Sequence, residues 1–540
     1  VSENVNQRQI NDGLDSVAQL AGIINPRNGQ RVVVKSYHAG RGKGGGAFIY
    51  DSAKANVNDD GTVINGWVRQ LEDHVTPSMF GAKGDGVTDD LVAFNKCTAF
   101  VKASKIKNIT ILDGNYKFSD TWVIDGLQGA TIQGLSNQRM LSDPPHTTPP
   151  KDYTSCILDF DAVPKDKSGI LITTFSGLSI KNLFIKYDRK TVGQTNRKAA
   201  AALNMYLGWD FNLKNIKVLI DGETSGIKLG DNNMATWAGV GHISNCFVWN
   251  ISGWADGIAS YGANTSLTFT ACYTIACRYY IEGTTYSSFI SCASDASKDF
   301  GYYITSNSDF NSTNLTFTSC GAESCGLSGF EIGNWVQNCS FLNCYDANNN
   351  LNKDPGTGSF MSLHPKWRDR DYWVKNIIVT NPSSYSRNGQ YSIWANAHVD
   401  NIRIENTNKK IMWLPIGAEL MNLLEITGDM ENIPFTPTVQ GIVSGTITKT
   451  TAYYKKVGKG YKFFIKFEGD AVFNMGTMVY MPFDMGLGSA QIFNAEIANK
   501  PLIVKNTTMR LTDINLNNVF AEIFGETMDM SEFYWGQPTQ

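Results

Sequence analysis

The feature that most constrains the fold is a six-residue phrase that occurs four times between residues 266 and 344. In each copy an aromatic residue stands three positions before a cysteine, and the copies end at Cys272, Cys292, Cys320 and Cys344. In two copies a glycine nine residues past the cysteine, Gly301 or Gly329, opens an alternating strand. A unit of 20 to 28 residues with short strands cannot bury its own apolar face without neighbours above and below. The repeat therefore predicts a solenoid of stacked β-coils.

The cysteines of this repeat are interpreted as an internal column of small apolar side chains. Cys246 occupies the same place one unit earlier, and stacked rungs lie about 4.8 Å apart. Cys277 and Cys325 form a second, partial column. We therefore expect buried free thiols rather than disulfides. Because the cysteine spacing on strands, without histidines nearby, does not match a zinc site, the sequence predicts no metal and no cofactor.

Charge and hydropathy exclude several classes of partner. The 540 residues carry a formal net charge of −3 without long charged runs, so neither nucleic acid nor an anionic membrane is an expected partner. No apolar run approaches the roughly 18 to 20 residues that span a bilayer. We expect neither membrane insertion nor a secretion signal.

Two regions precede the solenoid. Apolar residues from Asn4 to Leu20 are spaced for a helix with a narrow stripe, which predicts either a neck that self-associates or a simple packed helix. Residues 31–69 alternate as a small β region. Its glycine-rich segment, 41–50, lacks the Gly-Lys-Ser/Thr ending of a phosphate-binding loop and leads into a strand. We therefore assign it no nucleotide.

A family resemblance is carried by the segment FGAKGDGVTDD, Phe80–Asp90. It closely resembles the opening motif of the pectate-lyase-like right-handed β-helix superfamily, in which the following helix closes the end of the solenoid. The preceding block, residues 32–69, resembles what stands before that motif in bacteriophage tailspikes and capsule depolymerases. Thr88 or Asp89 can cap the helix, and its expected inward residues are Leu91, Phe94, Cys97 or Thr98, and Val101. The motif is structural, and we assign it no chemistry.

Repeat and resemblance together predict an all-β protein: a right-handed parallel β-helix with a short helical N-terminal neck and a C-terminal antiparallel β-sandwich. The expected boundaries are 1–77 for the neck and small β region, 78–105 for the opening motif and its helix, 106–410 for the β-helix and 411–540 for the sandwich. Such C-terminal domains resemble the trimerisation or carbohydrate-contact modules of tailspikes. Insertions at 142–150, 187–198, 231–237 and 346–372 are expected to wall a binding face.

Period-two alternation predicts which side chains leave the stack. Tyr302 and Phe330 must point inward, so Tyr303 and Glu331 point outward. The same count gives the other members of this outer face: Lys228, Ala259, Tyr280 and Glu282.

Two further carboxylates, Asp295 and Glu323, fall three residues past their cysteines on adjacent coils. Repulsion between like charges so placed raises the pKa of at least one of them. A glycosidase needs this asymmetry, with one protonated acid for the leaving oxygen and one carboxylate as nucleophile or base. The catalytic candidates are therefore Glu323, Asp295 and Glu331, followed by the more distant Glu282. Outward carboxylates are also common as solvated surface, and that interpretation stays open for each.

The candidate substrate-binding side chains are aromatic or cationic: Tyr303, Tyr280, Lys228, Arg278, Trp237, Trp254 and Trp367. Aromatic rings can stack on sugar faces while their polar tips stay wet, although simple packing explains such residues as well.

The resemblance to tailspikes implies a homotrimer in the virion tail, attached through its N-terminus. Such a protein binds a capsular or other bacterial surface polysaccharide and cleaves it at the cell surface. Glycoside hydrolysis is the favoured reaction. A polysaccharide lyase is the alternative; it would need a uronate and a base such as Lys228, Arg278 or Lys298, and no clustered aspartates suggest a calcium site. Ester hydrolysis ranks third, and a non-catalytic receptor-binding fibre needs none of these carboxylates.

Overall fold

The computed structural model describes residues 12–135, 156–164, 166–187, 200–231, 236–251, 255–353, 359–363 and 374–385. Beyond residue 392 it describes Thr446 and the strands given below. None of the described helices is long and apolar enough to cross a membrane.

The N-terminal region is a small antiparallel sheet with the strand order Arg31–Ser36, Gly44–Tyr50, Trp67–Arg69 and Val63–Ile64. Short 3-10 helices span Val17–Gly22 and Ser52–Lys54. The prediction of one continuous helix to Leu20 is wrong over its described part, because Leu14 forms a β-bridge with Val34 before the 3-10 turn begins. Leu14, Val17 and Leu20 are buried against the sheet. Their apolar spacing therefore serves packing within the chain.

The opening motif closes one end of the solenoid. A 3-10 helix, Pro77–Phe80, and a strand, Asp85–Asp89, lead into the helix Leu91–Ala103. The N-cap residue is Asp90 rather than the predicted Thr88 or Asp89, and its side chain makes no capping hydrogen bond. The Asp89 carboxylate, one residue earlier, accepts from the Leu91 amide at 3.1 Å, and the Thr88 hydroxyl bonds to Asp85. Phe94 packs edge-on against rings of the first coil, Tyr116, Phe118 and Trp122. The predicted inward residues Phe94, Cys97, Thr98 and Val101 are buried, and Leu91 is partly buried against the core.

Three long parallel sheets form the solenoid, and most coils contribute one strand to each sheet in turn. Sheet 1 contains His74–Val75, Asn108–Ile111, Thr131–Gly134, Ser176–Lys181, Gly208–Lys214, Ala238–Ser244, Thr265–Thr270, Thr285–Ile290, Thr313–Thr318, Gln337–Leu342, Val374–Thr380, Val399–Glu405 and Leu424–Thr427. Sheet 2 contains Asp85–Asp89, Gly114–Lys117, Cys156–Asp159, Phe184–Tyr187, Lys217–Ile220, Phe247–Asn250, Tyr273–Ile275, Ala293–Asp295, Gly321–Glu323, Tyr345–Ala347 and Ser383–Ser384. Sheet 3 contains Trp122–Asp125, Ile170–Thr173, Ala201–Tyr206, Ser225–Leu229, Asp256–Ser260, Arg278–Glu282, Tyr302–Thr305, Phe330–Ile332, Met361–Leu363, Ile393–Ala395 and Ile411–Trp413. The predicted right-handed parallel β-helix is confirmed.

Tight turns between sheets 1 and 2 use residues in the left-handed backbone region. Their φ values lie between 50° and 58° at Asn182, Asn215, Asn245, Ala271, Ser291, Ser319, Asn343 and Asn381. Asparagine tolerates this conformation better than most residues. Stacked asparagines also bond along the solenoid, as Asn215 Nδ2 donates to Asn182 Oδ1 at 2.9 Å. The same turn in each coil keeps the strands in register, which is why the cysteines recur at equivalent positions.

The interior is built from stacked identical positions. Rings of sheet 1 stack at centroid separations of 4.5 to 4.7 Å in the column Phe269, Phe289, Phe317 and Phe341. All ten cysteines are free and buried. The prediction of buried free thiols is therefore confirmed.

The C-terminal part is antiparallel. One nine-stranded sheet contains Ile433–Pro434, Thr438–Gln440, Ile447–Val457, Gly460–Gly469, Met478–Tyr480, Leu487–Phe493, Lys500–Lys505, Thr508–Arg510 and Phe520–Thr527. Val472–Phe473 and Ile514–Asn515 form a separate pair.

Candidate functional site

The outer column of sheet 3 has the predicted register. Lys228 aligns with Ala259, Ala259 with Tyr280, Tyr280 with Tyr303, and Tyr303 with Glu331. The predicted inward residues Tyr302, Ile304, Phe330 and Ile332 are fully buried. Alternation thus placed the whole column correctly.

The same column is not the open surface that outward alternation suggested. Glu331 and Glu282 are each 5% exposed, and Lys228 is 0% exposed. Lys228 Nζ donates to Asp231 Oδ1 at 2.8 Å. These side chains leave the stack but remain covered, so they do not meet solvent as free surface groups.

Arg278, at the start of its sheet 3 strand, is held by two aspartates. Its Nε donates to Asp256 Oδ1 at 2.7 Å, and a terminal nitrogen donates to Asp299 Oδ2 at 2.5 Å. Burial alone lowers the pKa of Arg278, but the charges of Asp256 and Asp299 raise it above its ordinary value. Arg278 therefore stays protonated and cannot be the base of an elimination.

Aromatic rings and carboxylates surround this arginine. Its guanidinium lies 5.2 Å from the Tyr280 ring centroid and 5.1 Å from that of Tyr303. The Tyr280 hydroxyl donates to Glu282 at 2.6 Å, and Ser328 Oγ donates to Glu331 at 3.1 Å. We call Lys228, Arg278, Tyr280, Glu282, Tyr303 and Glu331, with the aspartates that pair with the two cations, the sheet 3 cluster.

The second set of candidates lies on sheet 2. Asp295 aligns with Glu323 on the next coil, as the cysteine count predicts. Both side chains are half-buried. The Tyr273 hydroxyl donates to Asp295 Oδ2 at 3.4 Å, and the Tyr345 hydroxyl donates to Glu323 Oε1. One tyrosine thus flanks each side of an adjacent carboxylate pair, and we call these four residues the sheet 2 pair site.

Small residues make room for the tyrosines. Tyr273 aligns with Ala293, and Tyr345 aligns with Gly321. A Cβ atom added to Gly321 would lie 2.2 Å from Tyr345 Cε1, so only glycine lets this ring lie over the strand. The ring position in turn brings the Tyr345 hydroxyl to Glu323.

The electrostatics of the sheet 2 pair site separate the two carboxylates. Burial, and next the charge of Glu323, raise the pKa of Asp295 above its ordinary value, while the Tyr273 hydrogen bond opposes them. Burial and the nearby carboxylates raise the pKa of Tyr273 to about 12 and raise that of Tyr345 as well. Both phenols therefore stay protonated as donors. An acid with a raised pKa beside a second carboxylate suits acid-base chemistry.

The four carboxylate candidates therefore divide between two faces. Asp295 and Glu323 lie on sheet 2, whereas Glu282 and Glu331 lie on sheet 3. The turn between those sheets, with Ala296 and Ser324 in the left-handed region, separates them. They cannot be treated as one catalytic group.

Known proteins resemble the chain in three independent ways. Residues 13–72 match the family model described as phage tail protein small four-stranded beta-sheet domain. A Mu-like prophage FluMu defective tail fiber protein from Haemophilus influenzae is 32% identical over 127 residues, which cover 22% of this chain and 20% of that protein. The chain thus spans about a fifth of the length of this curated relative.

Among solved structures, the gp42 tailspike of Acinetobacter phage vb_AbaP_AS12 superposes with a TM-score of 0.52 at 13% identity and covers 93% of each chain. Tailspike protein 2 of bacteriophage CBA120, in its enzymatically active domain, gives a TM-score of 0.50 at 14% identity, with 95% of this chain and 82% of that chain covered. The predicted resemblance to phage tailspikes is confirmed. The phage tail domain match of residues 13–72 and the prophage tail fiber relative support the predicted location in the virion tail.

In this tailspike-like chain the structure describes one of the three predicted tryptophans, Trp237. Trp237 is 38% exposed and stands at the turn from sheet 3 to sheet 1, directly before the strand Ala238–Ser244. Trp254 and Trp367 lie outside the described residues. Among the described residues, one group could hold a metal ion by proximity, namely Glu72, Asp73 and His74, but both of its carboxylates are exposed at the first strand of sheet 1.

Five residues of the two clusters were not predicted as site residues, and one of them is Asp231, the partner of Lys228. Tyr273 and Tyr345 directly follow the repeat cysteines Cys272 and Cys344. The count that found Asp295 and Glu323 would have placed them on the same face. Asp256 aligns with Arg278 on the next coil, so a register count could have found it, whereas no sequence count places Asp299, in a loop, beside Arg278.

Proposed function

We propose that the protein is a tailspike depolymerase that binds a bacterial surface polysaccharide and cleaves it by glycoside hydrolysis at the sheet 2 pair site. The observation that carries this proposal is the half-buried Asp295–Glu323 pair, in which the pKa of Asp295 is raised by burial and by its neighbour. The tailspike fold and the phage tail matches support the choice of substrate class.

In the proposed mechanism Asp295 is the general acid and Glu323 the nucleophile. Asp295 gives its proton to the glycosidic oxygen as the bond between that oxygen and the anomeric carbon breaks, and Glu323 bonds to the carbon. Asp295 then takes a proton from water, whose oxygen displaces Glu323 and completes hydrolysis. Neighbouring rungs are about 4.8 Å apart, close to the roughly 5 to 5.5 Å between the carboxyl groups of retaining glycosidases. We therefore propose retention of configuration.

The tyrosines are positioning residues in this scheme. Tyr273 and Tyr345 hold the two carboxylates from opposite sides of the pair and keep their phenolic protons, because burial raises the pKa of each. Glu331 and Glu282 on sheet 3 are the second candidate pair, and their deep burial makes them less accessible to a polymer.

We further propose a homotrimer that attaches to the phage tail through its N-terminal region, with the sequence boundaries 1–77, 78–105, 106–410 and 411–540 as its units. The match of residues 13–72 to a phage tail domain supports attachment at this end. The C-terminal antiparallel strands are the proposed trimerisation or carbohydrate-contact module.

Mass spectrometry of capsular polysaccharide incubated with the protein tests the reaction. Fragments that each gain one water support hydrolysis, whereas unsaturated fragments would indicate a lyase and intact polymer a non-catalytic receptor-binding fibre. Glu323→Gln and Asp295→Asn should each lower turnover by about a hundredfold or more. Glu331→Gln and Glu282→Gln are matched controls on sheet 3, and loss of activity in these variants alone would move the site there.

A further inference from the structure

A cavity of 410 Å³ opens on the outer face of sheet 3, on the N-terminal side of the sheet 3 cluster. Its lining includes Val123, Leu171 and Asn204, which occupy successive positions of one outer column. Lys228 of the sheet 3 cluster follows Asn204 in the same column. The cavity therefore continues the face that carries Tyr280 and Glu331. Its size falls within the roughly 300 to 1,000 Å³ of small-molecule sites.

Asn204 is the unusual residue of this cavity. Its side chain is outward by register and only 4% exposed, and its Oδ1 has no hydrogen-bond partner among the described residues. A buried acceptor left without a donor is destabilising, and native proteins rarely keep one without a reason. A ligand that brings an O–H or N–H group into the cavity would satisfy it.

The charges around the cavity indicate which ligand fits. Lys167 Nζ pairs with Asp120 at 2.8 Å, and Lys228 Nζ pairs with Asp231 at 2.8 Å. The cations at the cavity are thus neutralised within the chain, and Asp166 adds a further negative charge to the lining. Among the described residues, an anionic ligand such as a uronate would meet no excess positive charge here.

The remaining lining residues suit a sugar ring. Val123 is 48% exposed and Leu171 is half-buried, so an apolar strip is available beside the polar groups. Burial, and next the charge of Asp231, raise the pKa of Tyr206, which keeps its phenol protonated as a donor. A sugar ring presents carbon–hydrogen faces flanked by hydroxyl groups, which match this combination of apolar and polar lining residues.

We propose that this cavity is a second saccharide-binding subsite, which takes a neutral, hydroxyl-bearing sugar unit with Asn204 Oδ1 as an acceptor. The proposal rests on the proposed polysaccharide substrate. Because the cavity lies on sheet 3 and the Asp295–Glu323 pair on sheet 2, the subsite binds sugar without cleaving it. A bound chain end would keep the polymer on the protein between cleavage events.

Saturation-transfer NMR on the full chain tests the subsite with glucose, galactose, N-acetylglucosamine and glucuronate as separate probes. The Glu323→Gln variant should bind at least one neutral probe as well as the wild type does, and glucuronate more weakly. Asn204→Leu, which keeps the volume and removes the acceptor, should weaken binding of that probe by about fivefold or more. If this variant does not fold, Tyr206→Phe should weaken the same binding.

Asn212→Leu is the matched control, since Asn212 Oδ1 is also buried without a partner among the described residues but lines a separate groove on sheet 1. It should bind like the wild type. No transfer from any neutral probe, full binding by Asn204→Leu, or loss of binding in Asn212→Leu would each overturn the subsite. Cleavage of polysaccharide is measured in parallel, so that failure of the depolymerase proposal shows as intact polymer and leaves the binding result readable.

Discussion

Tyr273 contacts the proposed acid directly, and its hydrogen bond lowers the pKa of Asp295 against burial and the charge of Glu323. Tyr273→Phe removes this donor and should raise that pKa. Since Asp295 must be protonated to act, activity falls as pH rises through its pKa. The alkaline limb of the kcat/KM profile should therefore move to higher pH in the variant, while kcat changes less than tenfold.

Tyr345→Phe is the control for this shift, because Tyr345 contacts Glu323 rather than Asp295. The alkaline limb of the kcat/KM profile of Tyr345→Phe should lie at the same pH as that of the wild type. An unmoved limb in Tyr273→Phe would show that Asp295 is not the acid.

Arg278 tests how much a buried ion pair contributes to the free energy of unfolding. Arg278→Met would leave Asp256 and Asp299 buried without their shared cation, and removal of one partner from such a group costs about 3 to 5 kcal/mol. We expect a lower apparent melting temperature and faster unfolding at a fixed heating rate.

Lys35→Met serves as the comparison for this loss, because the Lys35–Asp15 pair is exposed on both sides. Exposed pairs add little to stability, so its melting temperature should match the wild type. Equal melting of Arg278→Met and wild type would mean that the cluster is not structural.

At the scale of elements, the sequence predicted the stack because one coil repeats in register. The cysteine count placed Asp295 beside Glu323 and Tyr303 beside Glu331, since parallel strands align equivalent positions. It did not reveal that these pairs lie on different sheets, because counting along a coil does not show where the chain turns. It also missed the burial of Glu331, because alternation gives the direction of a side chain but not what covers it.

The opening motif carries a prediction about pH. The Asp90 carboxylate accepts hydrogen bonds from the amides of Lys83 and Gly84 at 2.7 and 3.0 Å, and burial raises its pKa from 3.8 to about 6. The folded state therefore holds this proton more tightly than the unfolded state. Asp90 contributes most stability below its unfolded pKa, and that contribution, about 3 kcal/mol, is lost as pH rises towards 6.

Asp90→Asn cannot ionise, so its stability relative to wild type should improve by about 2 kcal/mol between pH 4 and pH 7. Denaturant unfolding at several pH values measures this difference. Asp73→Asn, at an exposed site, should show no such improvement. A difference between Asp90→Asn and wild type that is constant with pH would exclude the buried carboxyl as its source.

At the scale of the whole molecule, two features of the sequence made the fold predictable. The opening motif carries the family resemblance, and the coils carry the repeat. Whether the site lies within one chain or between chains of an oligomer was not predictable, because a sequence does not show which chains line a groove. The structure places both proposed catalytic carboxylates on adjacent coils of one chain. We therefore expect each subunit of the proposed trimer to cleave substrate without residues from its neighbours.

Mixed trimers test that independence. Asp295→Asn and Glu323→Gln chains carrying different affinity tags are co-expressed, trimers containing both are isolated by sequential purification, and their mass is checked by analytical ultracentrifugation. Every subunit of a mixed trimer lacks one carboxylate of its own pair, so turnover should stay as low as in either parent variant. If the acid and the nucleophile came from neighbouring subunits, some interfaces would combine an intact Asp295 with an intact Glu323, and activity would return to a substantial fraction of wild type. The same trimers made from wild-type and Glu323→Gln chains should retain activity in proportion to their wild-type subunits, because a pair within one chain needs nothing from its neighbour.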